Sequence, residues 1–309
     1  MKKINGIKRV TKKNIIILNS FTILLLSFCF ILLFIYNLLP LIYDVLFGKT
    51  IIQNLLINVV GNETDINITA QRIMNWEEDY FYTPYFASDQ PLKKFGIYFF
   101  NHSPHLFIRD APVSWIIFSR LANCEEYAKV FVYLMNKTGV YAKIVHAPGE
   151  DHAWAEYYVD RFKVIVDPSQ NRVISNPRKF AKGKNWSYVE SYDLFNPKDR
   201  KDVSLEYIQG YNYTLCFEKD EQPLINHKVE IMSSTLMKKD PKRYKHPLVI
   251  KEVVTNDKEC VTITLAPKTY IFRVKGSFID MLKFKLYCEI PLKLSNSTNV
   301  SINLRNFCS

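Results

Sequence analysis

The longest hydrophobic run is Ile15 to Tyr43, which holds no charged residue and is almost wholly apolar from Phe21 to Tyr36. About twenty helical residues cross a bilayer core, so this run is long enough to span one. Pro40 and Asp44 mark its outer end and no small-x-small cleavage pattern follows, so it reads as an uncleaved signal anchor. Residues 48 to 65 read as a stalk leading to a helix over Thr69–Phe81, with Ile73, Trp76 and Tyr80 at helical spacing. The clearest amphipathic pattern is Asn123–Thr138, where Tyr127, Val130, Phe131, Leu134 and Met135 form one stripe. Asn123 can cap this helix and Glu126 can return the bond. Lys137 suits its C-terminal end, and Gly139 stops it.

The period then changes from helical to strand-like. Val140–His146, Ala153–Val159 and Phe162–Asp167 predict an antiparallel meander, turning at 147–151 and at Asp160-Arg161. Before the amphipathic helix, Thr83–Ala111 is broken by Pro84, Pro91 and Pro104 and rich in aromatics, and reads as irregular chain on one side of a cleft. Asn176–Lys201 reads as a polar connection. Beyond it, short β-rich runs recur at 211–218, 228–232, 248–255, 261–265, 270–275, 283–290 and 299–304, the texture of an all-β sandwich. There is no internal repeat and no Gly-rich phosphate loop.

Composition sharpens this picture. With 48% hydrophobic and 23% charged residues the chain is globular rather than disordered. Its net charge is +11, but Lys2, Lys3, Lys8, Arg9, Lys12 and Lys13 supply six of those charges ahead of the apolar run. The remainder is only mildly basic, which gives no case for nucleic-acid binding. The same cluster predicts a cytoplasmic Met1 and an extracytoplasmic chain after residue 45. Asn-x-Ser/Thr sequons at Asn62, Asn67, Asn101, Asn136, Asn185, Asn212, Asn296 and Asn299 agree with export. So do the cysteines: Cys216, Cys260, Cys288 and Cys308 crowd the last third and predict two disulfides, in any of three pairings. Cys29 lies in the span, which leaves Cys124 without a partner in its own domain.

Cys124 falls at the first turn of the amphipathic helix, where unpaired N–H groups and the dipole favour an anion and hence a reactive thiolate. Glu125 and Glu126 oppose this, so a protonated histidine is the more important activator. The same N–H groups could stabilise the oxyanion formed when sulfur attacks an amide carbonyl. His152 opens the second strand and Asp167 closes the third, so the two can lie side by side. The carboxylate would orient the imidazole, and the imidazole would take and return the thiol proton. Trp154 and Glu156 share the His152 face of the strand, and Trp154 is expected to pack beneath the three. His146 is expected to be a strand residue satisfied by a backbone partner. His102 and His105 have no accompanying ligand pattern, so neither a metal nor a cofactor is expected.

These residues resemble a family. Asn-Cys-Glu-Glu-Tyr-Ala at 123–128, Asp-His-Ala-Trp-Ala-Glu-Tyr-Tyr at 151–158 and Val-Asp-Pro-Ser at 166–169 are similar to the transglutaminase-like superfamily, in its order and spacing, over roughly residues 66–175. The resemblance implies an α+β papain-like core, a catalytic triad of Cys124, His152 and Asp167, and amide chemistry through a thioester. The activities implied are protein cross-linking, peptide hydrolysis or deglycosylation. Asp151 and Tyr127 lean towards the peptide N-glycanase branch. Asn123 departs from the glycine the family often has there. Trp76 and Trp115 are both candidates for the tryptophan that assists the oxyanion hole in cross-linking members. No acidic calcium loop is present, which argues against a calcium-regulated cross-linker.

The expected organisation is a cytoplasmic basic tail at 1–14, a transmembrane signal anchor at 15–43, a transglutaminase-like domain at 48–185 and an Ig-like β-sandwich at 205–309. The expected function is that of a membrane-anchored, cysteine-dependent amidase or acyltransferase acting on peptide or glycopeptide substrates. The alternative is a non-catalytic surface or envelope protein, for binding or assembly, that keeps the domain as a scaffold.

Overall fold

A computed structural model of the chain describes residues 12–82, 111–219, 222–223, 227–241, 244–255, 260–275, 287–295 and 299–303. Helix α1 (Lys12–Tyr43) contains Pro40, which therefore does not end it. A proline inside a helix forfeits the one bond its missing N–H would donate, and the helix widens soon after into a π turn at Asp44–Gly48. It continues as α2 (Lys49–Val59), so the expected stalk is helical instead. Ile52 of α2 is buried, and Ile51, Leu55, Leu56 and Val59 pack on the core beside it. By length and composition, Leu38–Val59 could cross a membrane.

Helix α3 (Ile66–Tyr80) starts where the Asp65 side chain accepts from the backbone N–H groups of Asn67 and Ile68. Helices α4 (Val113–Ser119) and α5 (Cys124–Lys137) complete one layer. All five residues of the predicted α5 stripe are buried. Beneath α5 lies a six-stranded antiparallel sheet, in the order β4-β3-β2-β1-β5-β6. Its strands are β1 (Ala142–Ala147), β2 (His152–Val159), β3 (Phe162–Asp167), β4 (Arg172–Ile174), β5 (Glu190–Asp193) and β6 (Asn196–Asp202). The register Ile144↔Ala155 and Ala155↔Val166 turns small and branched residues towards α5. On the opposite face Val145, Ala147, Trp154 and Ile165 are covered by α6 (Pro177–Ala181), Trp186 and α7 (Ser204–Tyr207). Asn176–Lys201, expected as a connection, thus supplies a helix and two strands, and the sheet runs on to Asp202.

The remaining elements are β7 (Tyr211–Lys219), β8 (Gln222–Pro223), β9 (Lys228–Ser233), α8 (Thr235–Lys239), β10 (Leu248–Val254), β11 (Cys260–Leu265), β12 (Thr269–Lys275), β13 (Tyr287–Lys293) and β14 (Asn299–Asn303). They form a sheet β10-β9-β12-β13 and a second sheet β11-β7-β14, with β8 on β7. Tyr213, Leu215 and Phe217 of one sheet share a core with Val229, Ile231, Phe272 and Ile290 of the other. Each of the seven β-rich runs coincides with a strand over its described residues. Cys216 and Cys260 face each other across β7 and β11 and form a disulfide. Cys288 lies on β13, and Cys308 falls outside the described residues, as do residues 83–110 with His102 and His105.

Candidate active site

Cys124 is the first residue of α5, and Asn123 is its N-cap. The Asn123 Oδ1 accepts from the Glu126 backbone N–H at 2.9 Å, while Glu126 Oε2 accepts from the Asn123 N–H at 2.9 Å. This reciprocal pair holds the helix start, and with it the sulfur, in one place. Burial pushes the Glu126 carboxyl up to about 8, against the pull of the Asn123 N–H. At neutral pH it is therefore mostly protonated, so one of the two acids expected to oppose a thiolate carries little charge. The other, Glu125, accepts from the Tyr192 hydroxyl at 3.0 Å.

His152 stands at the start of β2 and Asp167 at the end of β3, as expected of two strands joined by a tight turn. His152 Nε2 and Asp167 Oδ2 are 2.8 Å apart, and Asp167 is 1% exposed. The second carboxylate oxygen, Oδ1, accepts from the Ser169 hydroxyl at 2.7 Å, so neither oxygen is left to turn away. Nδ1 is the ring nitrogen that Asp167 does not engage. Burial alone would lower the His152 pKa. The hydrogen bonds to Asp167 and Cys124, and their charge, outweigh it and raise the ring to about 10. The Cys124 thiol also lies 3.9 Å from the Asp151 carbonyl oxygen.

The imidazole rests on an aromatic stack. Trp154 lies 5.8 Å from it, and Trp186 stacks on Trp154 at 4.5 Å and 12°. Trp154 is fully buried, as expected, and its Nε1–H donates to the Tyr207 hydroxyl at 3.1 Å. Tyr207 in turn donates to Glu156, which is 1% exposed and paired with Lys163 at 3.0 Å. The even positions of β2 thus carry the imidazole, its support and the buried acid that anchors that support.

Cys124 and His152 open on a cleft of about 590 Å³, a volume suited to a ligand of moderate size. Ser169, Gln170, Lys184 and Trp186 line it, and so do Thr235, Leu236, Lys239 and Tyr244 from the C-terminal half. Neither Trp76 nor Trp115 does: Trp76 stacks on Tyr80 and Trp115 meets Tyr43 edge-on. Trp186 went unnoticed because its run, Trp186 to Tyr192, sits inside a polar stretch. Its recurring aromatics were the available strand signal. His146 differs from expectation: it lines the cleft, and its Nδ1 is buried with no hydrogen-bond partner among the described residues. Burial lowers its pKa, although the charges of Glu125 and Glu190 act the other way.

Comparison with known proteins bears directly on this arrangement. Residues 54–168, which span α3, α5 and the hairpins bearing His152 and Asp167, match the model of the Transglutaminase-like superfamily. The chain carries a transglutaminase-like domain. It is also 33% identical over 116 residues to a peptide-N(4)-(N-acetyl-beta-glucosaminyl)asparagine amidase of Drosophila melanogaster, a stretch covering 37% of this chain and 18% of that protein. The similarity is distant, and this chain spans less than a fifth of that protein's length. Domains of this superfamily are typically those of cysteine hydrolases and transferases.

Proposed function

We propose that the protein is a membrane-anchored, cysteine-dependent amidase or acyltransferase that works on peptide or glycopeptide amides through a thioester on Cys124. The observation that carries this is the hydrogen-bonded chain Ser169–Asp167–His152, with Cys124 close enough to help raise the His152 pKa and its sulfur at a helix N-terminus. An imidazolium held by a buried carboxylate stabilises a thiolate beside it. The thiolate attacks the amide carbonyl carbon, and the N–H groups at the start of α5 face the oxyanion that forms. As the C–N bond breaks, the imidazolium passes its proton to the departing nitrogen. The neutral imidazole then takes a proton from water or an amine, which opens the thioester and frees Cys124. Water gives hydrolysis and an amine gives transfer.

The anchor reading is supported by α1, where Ile23 to Leu26, Phe28, Phe30 and Ile31 are at least half exposed, more apolar surface than a soluble helix presents. The candidate span Leu38–Val59 includes Ile52, which faces protein. The exposed apolar residues from Ile23 to Ile31 support a lipid-facing stretch ahead of it, within the predicted 15–43. The N-terminal basic cluster supports a cytoplasmic N-terminus and an extracytoplasmic domain.

An amide-mimicking electrophile bearing a reporter should label the wild type and leave Cys124→Ala unlabelled. Equal labelling of the two would sink the reading.

A further inference from the structure

We propose that the C-terminal β-sheets are part of this catalytic site, with Tyr244 as the residue that positions the loop between β1 and β2. The proposal rests on the functional reading above and extends it to a region outside the matched domain. Three consecutive residues of that loop touch the C-terminal half, and each does so differently.

Gly149 approaches β9 and β10 so closely that a Cβ in its place would lie 2.3 Å from Ile250 Cγ2 and 3.2 Å from Ser233 Cβ. Glu150 follows, with a side chain only 6% exposed. It accepts from the Ser187 hydroxyl at 2.7 Å and pairs with Lys268, between β11 and β12, at 3.3 Å. Asp151 comes last and is the critical one. Its φ of 49° is left-handed, a conformation that Asp adopts more readily than most residues with a Cβ and that sets the direction of its carbonyl. Its carboxylate Oδ2 accepts from the Tyr244 hydroxyl at 2.9 Å. Its carbonyl oxygen faces the Cys124 thiol, and its peptide bond leads directly into His152.

One residue therefore joins the nucleophile, the base and a tyrosine from beyond α8. Rotating the Asp151 peptide would move its carbonyl away from the sulfur and swing the first residue of β2 with it. The Tyr244 hydrogen bond resists that rotation. Tyr244 also lines the cleft, together with Thr235, Leu236 and Lys239, so the same segment walls the space that substrate would enter. Tyr244 acts through Asp151, and so is a positioning residue rather than a catalytic one.

The test uses the full chain in detergent and iodoacetamide as the probe, with Cys124 alkylation followed site by site by mass spectrometry across pH. Tyr244→Phe removes one hydroxyl and keeps the ring. It should slow Cys124 alkylation at neutral pH about fivefold or more and displace the pH profile. Asp151→Asn keeps an amide oxygen for the Tyr244 hydroxyl and should retain most of the rate, whereas Asp151→Ala should behave like Tyr244→Phe. A Tyr244→Phe profile that superposes on the wild type overturns the proposal, as does a lowered melting temperature with an unmoved profile. A wild-type thiol no more reactive than free glutathione overturns the functional reading itself, and the proposal with it.

Discussion

His146 on β1 and His152 on β2 flank one loop, and their surroundings move them in opposite directions. His152 gains a buried carboxylate and Cys124, and its ring rises from 6.5 to about 10. His146 gains burial, with no partner for Nδ1 among the described residues, and its pKa falls. The linkage differs in sign. Between pH 6.5 and about 10 the unfolded chain has released the His152 proton while the folded chain keeps it. This contribution is therefore complete below 6.5 and is lost as pH rises through 10. His146, whose pKa burial lowers, contributes above 6.5, and its share is lost as pH falls through the lowered pKa. The wild type should accordingly lose its stability advantage over His152→Gln steadily between pH 6.5 and 10, as read by urea denaturation at several pH values. A constant difference across that range would contradict the His152 assignment. The residue types Cys, His and Asp, with their order, were legible in the sequence. The environment of His146 was not, because Glu125 and Glu190 reach it from α5 and β5, elements distant from it along the chain.

Elements were legible where burial had a period. Helix α5 was readable to within a residue at each end, since its stripe, cap and glycine stop all agree. The first three strands of the sheet were readable too, through alternation and turn residues. Strand β6 was not: Asn-Pro-Lys-Asp-Arg-Lys-Asp is exposed at every position, because it lies at the sheet edge and buries neither face. Helix α2 was missed for the opposite reason, as its apolar residues sit next to a far longer apolar run. The cap at α5 offers a quantitative check at this scale. Asn123→Ala removes the acceptor for the Glu126 N–H and should cost about 1 kcal/mol, whereas Asn123→Asp or Asn123→Ser should cost much less. Because Cys124 follows the cap directly, Asn123→Ala should also slow alkylation of the thiol. Denaturation and alkylation measured on the same three variants would show whether the cap serves stability alone.

At the scale of the whole chain, the apolar exterior of α1 and the Cys216–Cys260 bond bear on the same question of compartment. The bond joins two neighbouring strands separated by 44 residues of sequence. A loop of that length corresponds to about 4 kcal/mol in the chain-entropy estimate, with measured values for native disulfides more often about 2–4 kcal/mol. Replacing both cysteines by serine should lower the unfolding free energy within that range. Since β7 and β9 to β12 share the core that backs Gly149, the loss should reach the cleft as well as the distal sheets. Such a bond persists in oxidising surroundings and is reduced in the cytosol. A maleimide carrying a bulky polymer, applied to denatured cell material without reductant, therefore reports the topology. If the chain after residue 45 lies outside, Cys216 and Cys260 should resist modification until a reductant is added. Full modification without reductant would put the C-terminal half in the cytosol and reverse the orientation inferred from the N-terminal lysines.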